Sequence, residues 1–203
     1  MQIKTLKIIV FVLCLYPLAR MGWHIPTEVD PVAFLLHSSG RWALTGLLIT
    51  LCVSPLRQLT GRGELLKLRR MLGLYAFFYA VLHFCIYLGL DRQLDFSTIA
   101  HDIIKRPYIT VGFTALLLLI PLAVTSTDRM MRRLKRNWGR LHQLIYPIAI
   151  LGVLHFWWLV KRDVTVPAIY AVLLALLLLW RVWRWYKPRW QQARLPGRQK
   201  PAE

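Results

Sequence analysis

The chain has 203 residues, 57% of them hydrophobic, and a formal charge of +18. Soluble domains are usually about 45–50% apolar; here the excess lies in long runs and the mean hydropathy is +0.45, which excludes an ordinary soluble domain. The basic residues sit in short loops between apolar runs, the topological pattern of a membrane protein, so the charge does not indicate nucleic acid as a partner.

Taken in chain order, the sequence predicts an all-α integral membrane bundle of six transmembrane helices. Residues 1–20 have a basic start and a short apolar core like a signal peptide. They lack a small-x-small cleavage site, and further spans follow, so an uncleaved first span over 8–21 is expected. A polar connection at 22–40 precedes a second span over 41–56, with Ser54-Pro55 expected at its exit. The basic loop 57–70, with Gly61 and Gly63 as turn residues, leads to an aromatic-rich third span over 71–90. The connection 91–106 mixes Asp91, Asp95 and Asp102 with Arg92, Lys105 and Arg106, and its segment 96–104 reads as a short interfacial helix. Pro107 suits the start of a helix, giving a fourth span to about Thr125 with Pro121 inside it. After the basic stretch 126–139, the fifth span covers 137–160 and the sixth 167–185. The expected organisation is one membrane domain over 1–186 and a basic cytoplasmic tail over 187–203.

Lys and Arg concentrate at the N-terminus, in the second and fourth connections and in the tail. By the positive-inside rule both termini face the cytoplasm. Trp157 and Trp158, with Trp180, Trp183, Trp185 and Trp190, mark interfacial belts. Cys14, Cys52 and Cys85 all fall inside apolar runs without zinc-like spacing, and read as small buried apolar residues.

Histidine in hydrocarbon is a functional-site hypothesis by default, and it is the usual axial ligand of haem iron. On parallel spans, His83 late in the third and His155 late in the fifth lie at similar depth towards the outer side. Together they offer two nitrogen ligands to one b-type haem; the competing reading is that each merely bonds a carbonyl. His142 lies 13 positions before His155, roughly 20 Å along a helix and about 140° around it. The two do not share a face unless the helix is distorted, for which Pro147 and Gly152 offer a means. Opposite His142 the third span has Arg69 and Arg70. Arginine is a poor iron ligand, so these two are candidates for holding a haem propionate, a flavin phosphate or lipid headgroups, or else simply snorkel. His24, His37 and His101 fall in outer connections with no specific role expected, and Tyr75, Phe77, Phe78, Tyr79 and Phe156 are either ring-packing or ordinary core residues. The sequence has no GxGxxG fingerprint, no phosphate loop and no CxxCH motif. Any haem is therefore non-covalent, and reductant comes from a partner or from quinol.

RRMLGLYAFFYAVLHF (69–84) and NWGRLHQLIYPIAILGVLHFWW (137–158), within the six-span layout, resemble the ferric-reductase-like transmembrane family. The resemblance is strongest to the haem-binding membrane subunits of bacterial protein-methionine-sulfoxide reductase systems, and covers nearly the whole chain. It implies a bacterial inner-membrane protein with haem b (one or two) and FMN. Such a protein passes electrons from the quinone pool or a cytosolic flavin reductase to a periplasmic molybdenum-containing methionine sulfoxide reductase. On this resemblance His83, His142 and His155 match the family's haem histidines. Arg70 stands near where the wider family often has a histidine, and the basic loops 57–70 and 126–140 are where the flavin phosphate is expected. The alternatives are a ferric or other metal reductase using the same haem path, and a small transporter with buried His and Arg.

Overall fold

The computed structural model describes residues 3–193, with side chains over 3–186. The expected tail at 187–203, including Trp190, lies outside the residues described at side-chain level; its backbone is helical as far as Ala193. Among the described residues there is no strand. Six helical segments are long and apolar enough to span a membrane: Ile3–Thr27, Pro31–Thr60, Gly63–Asp91, Pro107–Val124, Arg136–Leu159 and Thr165–Tyr186.

Within these, α1 is Ile3–His24, α2 Pro31–Thr60, α3 Leu66–Ile86 and α5 Pro107–Val124. Between α3 and α5 lies α4, Phe96–Lys105, the short helix expected there. The basic stretch after α5 folds into α6, Asp128–Leu134, and α7, Arg136–Leu141. A 3-10 turn at His142–Leu144 then joins α7 to α8, Ile145–Leu159. Helix α9 is Thr165–Ala193.

Helix α2 is longer than expected at both ends. It begins inside the predicted polar connection because the Asp30 carboxylate accepts from the Ala33 amide and Pro31 occupies the first turn, both strong start signals. It runs through Pro55 and stops at Gly61, whose φ of 69° is the left-handed cap that glycine accepts without cost. Pro55 does not end the helix, but it removes the amide that would have bonded the Leu51 carbonyl.

The core is built on two closely packed helix pairs, α2 with α3 and α5 with α8, with α9 laid against them. Leu51, Ala76, Ile148 and Ala149 form its centre, each at most 1% exposed. Gly46 lets α2 approach Ala76 so closely that an added Cβ would lie 3.0 Å from the alanine methyl, the small-against-small contact that close membrane packing uses. Apolar residues such as Ile8, Val12, Leu173 and Leu176 are exposed on α1 and α9; in a bilayer that perimeter faces lipid. Ser39 and Thr50, buried in the bundle, bond carbonyls one turn back at 2.7 Å, so neither hydroxyl is left unsatisfied in hydrocarbon.

Candidate functional site

The two helix pairs each contribute one histidine. His83 projects from α3 and its Nδ1 donates to the Leu36 carbonyl of α2 at 3.0 Å, with Ser39 Oγ at 3.3 Å. His155 projects from α8 and its Nδ1 donates to the Tyr108 carbonyl of α5 at 2.7 Å. Each ring packs against a glycine one turn beyond the carbonyl it bonds. An added Cβ on Gly40 would meet the His83 ring at 3.1 Å, and one on Gly112 would meet His155 Nδ1 at 2.7 Å. The second set lies 72 positions after the first: 36 to 108, 40 to 112 and 83 to 155. The same device therefore occurs in both halves of the bundle.

The ring centroids are 6.1 Å apart with planes at 76°. A carbonyl only accepts, so Nδ1 carries the proton in both rings and Nε2 keeps its lone pair, the second-shell arrangement that fixes a ligating imidazole. Among the described residues no three His, Cys, Asp or Glu side chains converge as a metal site. Two imidazoles without a third protein ligand suit a metal whose other ligands come from a planar macrocycle. Bonds of about 2 Å to one metal on opposite sides bring two imidazole centres roughly 6 Å apart, the spacing present here. A cavity of about 450 Å³ surrounds the pair, walled by apolar residues such as Leu44, Phe84, Phe113 and Phe156, with Arg41, Asp91 and Arg92 among its polar lining. The residues present fit a haem.

His37, expected to be idle in a loop, lies on α2 and lines the same cavity. Beside the cavity, Asp102 of α4 is 1% exposed. It is held by Arg92 Nε at 2.9 Å and Arg106 Nε at 2.8 Å, with the Tyr87 hydroxyl donating to it at 3.3 Å. These contacts fasten the interfacial helix across the segment Tyr87–Asp91, a π-helical turn that continues α3.

His142 is not brought to the other two histidines. It sits in the 3-10 turn, stacked on Trp138 at 3.9 Å, and its Nδ1 donates to the Trp138 carbonyl at 3.1 Å. Its Nε2 is buried without a well-formed hydrogen bond, although the Leu122 carbonyl interacts with the ring. Arg69 is its electrostatic neighbour. Arg70 points elsewhere and pairs with Asp128 of α6 at 2.5 Å. The 72-residue shift carries Arg70 onto position 142, so one half of the bundle has a permanently charged guanidinium where the other has an imidazole.

Sequence reasoning missed Gly40, Gly112 and Arg181. The last was the most accessible of the three: one arginine inside the apolar run LLLLWRVW, where a charged residue marks function.

A family model described as "Ferric reductase like transmembrane component" matches residues 39–153. A protein of Xanthomonas campestris pv. campestris named "Protein-methionine-sulfoxide reductase heme-binding subunit MsrQ" is 58% identical over 189 residues, 89% of this chain and 87% of its own length. Proteins with the same name from Xanthomonas axonopodis pv. citri and Bordetella pertussis are 55% and 46% identical. They cover 93% and 92% of this chain, and 90% and 93% of their own lengths.

Proposed function

Because the chain belongs to the ferric-reductase-like transmembrane family, in its MsrQ haem-binding branch, we propose that it is the haem b-carrying membrane subunit of a methionine sulfoxide reductase system. On this reading it lies in a bacterial inner membrane with both termini, including the basic tail at 187–203, in the cytoplasm. It passes electrons from quinol or a cytosolic flavin reductase to a periplasmic molybdenum-containing reductase that repairs oxidised proteins. The bond chemistry on methionine sulfoxide belongs to that partner.

The observation that carries this reading is the His83–His155 pair, 6.1 Å apart with each Nδ1 committed to a carbonyl. His83 and His155 would hold the haem through their Nε2 atoms, and the haem would supply a one-electron couple when bound. The Leu36 and Tyr108 carbonyls orient the rings and raise the basicity of Nε2. Two nitrogen ligands leave no open coordination position, which favours electron transfer over oxygen chemistry. Leu44, Phe84, Phe113 and Phe156 exclude water from the site, and burial of this kind tunes the potential. His142 is the third proposed ligand, through its buried Nε2, which makes no well-formed hydrogen bond. FMN completes the proposed cofactor set, from family resemblance, with Arg69 and Arg70 as its candidate anchors.

Purified protein should be red. Dithionite should shift the Soret band and bring up sharp α and β bands of a low-spin b-haem; colourless protein that resists haem loading contradicts the proposal and favours a transporter. Haem-to-protein stoichiometry addresses His142. Two haems per chain falling to one in His142→Ala assigns it as a ligand, whereas one per chain in both proteins leaves it a stacking partner of Trp138.

A further inference from the structure

The cavity around His83 and His155 is charged at one end only. Asp30, His37, Arg41, Asp91 and Arg92 line it from the start of α2 and from the turn that ends α3. Helices α2 and α3 pack as a hairpin, so these two segments lie together. Further along the helices Leu44, Leu47, Leu119 and Ile148 wall it. Both carboxylates at the charged end are engaged: Asp30 caps α2 through the Ala33 amide, and Asp91 pairs with Arg92 at 3.3 Å. Arg92 is also held by Asp102 at 2.9 Å. Arg41 differs from it. Its Nε donates to the His37 carbonyl one turn back at 3.3 Å, and among the described residues no carboxylate lies within ion-pair distance of it. The 72-residue shift carries His37 and Arg41 onto Ile109 and Phe113, which line the same cavity. The two halves therefore share the carbonyl, glycine and histidine, but only one carries a cation.

A guanidinium is always charged, and a charge facing a cavity within a membrane bundle marks a function. Haem is itself amphipathic, an apolar macrocycle with two propionate carboxylates on one edge, and the cavity has the matching polarity. A guanidinium fork takes a carboxylate through two parallel hydrogen bonds. We propose that Arg41 binds a haem propionate, which turns the propionate edge towards the end formed by residues 30–41 and 87–92. This rests on the assignment of His83 and His155 as haem ligands. The segment 36–41 of α2 then serves one haem twice: Leu36, Ser39 and Gly40 hold the His83 ring from behind, and Arg41 fixes the edge of the macrocycle. Arg69 and Arg70, the other candidates for a propionate, do not line this cavity, and Arg92 is already shared between two carboxylates.

The test compares haem release from the full-length protein in neutral detergent, loaded either with protohaem or with its dimethyl ester, whose propionates carry no charge. Excess apomyoglobin captures what is released, and the Soret band reports the rate. The wild type should release the ester at least about tenfold faster than protohaem, the loss of one charge-assisted pair. Arg41→Gln should release protohaem about tenfold faster than the wild type and should no longer distinguish it from the ester. Arg41→Lys keeps the charge but not the fork, and should fall between the two. The reduction potential of Arg41→Gln should lie below that of the wild type, because losing a cation near the iron favours the ferric state. Arg162→Gln, between α8 and α9 and outside the cavity lining, should behave as the wild type. Should Arg41→Gln hold no haem, Arg41→Lys decides: reduced discrimination between the two haems supports the proposal, and undiminished discrimination contradicts it. Discrimination that persists in Arg41→Gln overturns the proposal and leaves Arg41 an interfacial arginine. A wild type that takes up neither haem sinks the haem reading itself, whereas a low-spin wild type that releases both haems at one rate sinks this inference alone.

Discussion

His83 and His155 each depend on a position with no side chain. An alanine at 112 would place its Cβ 2.7 Å from His155 Nδ1, closer than real Cβ contacts come, so the ring must turn and give up the Tyr108 carbonyl. Gly112→Ala is expected to lower haem retention severalfold, read as the Soret-to-280 nm ratio of purified protein. Gly40→Ala, at 3.1 Å from the His83 ring, should have the same effect more mildly. Outside the membrane, Asp95 caps α4. Hydrogen bonds from Thr98 and Ser97 hold its carboxyl at about 2, below its usual 3.8. With the folded value depressed, this contribution is fully present above about pH 4 and is lost as pH falls through about 2. Asp95→Ala at neutral pH should therefore speed amide exchange in α4, and the wild type should approach the same rate only at the acid end. His83 and His155 were legible in the sequence because intramembrane histidines are costly and their depths matched. Gly40 and Gly112 were not, because a lone glycine in an apolar run looks like any packing glycine until its histidine is seen lying on it.

Short and amphipathic, α4 is fastened chiefly by one buried carboxylate. Asp102 forms ion pairs with Arg92 and Arg106 at once, and removing one partner of a buried ion pair leaves the other charges uncompensated. Both arginines are partly exposed, which reduces the cost, so Asp102→Ala should destabilise the protein by about 2–3 kcal/mol. It should also open the 92–106 connection to limited proteolysis before the rest of the bundle unfolds. Boundaries were the weaker part of the sequence reading. Residues 31–40 read as part of a polar connection on account of Pro26, Glu28, Asp30 and Pro31, yet Asp30 and Pro31 start a helix there and its polar groups are absorbed: Ser39 bonds its own helix, and His37 lines the cavity. Ser54-Pro55 looked like an exit because proline breaks isolated helices; here Arg181, from a helix remote in sequence, supplies the missing donor to Leu51. Such compensation is a property of packing and is invisible in a local pattern. The fifth span was expected as one element, and its break falls at the 3-10 turn of residues 142–144, just before Pro147.

At the level of the whole molecule, two helix pairs carry the same carbonyl–glycine–histidine device 72 positions apart and bring the two imidazoles within 6.1 Å of each other. The other ends of the pairs differ, with Arg70 in one and His142 in the other, so the bundle is symmetric around the His83–His155 site and asymmetric at its opposite end. The proposed orientation makes a separate prediction. Single cysteines placed in the loop at 61–65, in a chain otherwise free of cysteine, should be shielded from impermeant thiol reagents in intact cells, and those at 161–163 should be labelled. The reverse pattern would turn the electron path round. The central claim, that His83 and His155 are the two ligands of one haem, is tested most directly by electron paramagnetic resonance of the oxidised protein and its single variants. The account predicts a low-spin ferric signal that converts to high spin, or disappears with the haem, in His83→Ala and in His155→Ala, while the outer-site signal survives in His142→Ala. An undiminished low-spin signal in both His83→Ala and His155→Ala would contradict it.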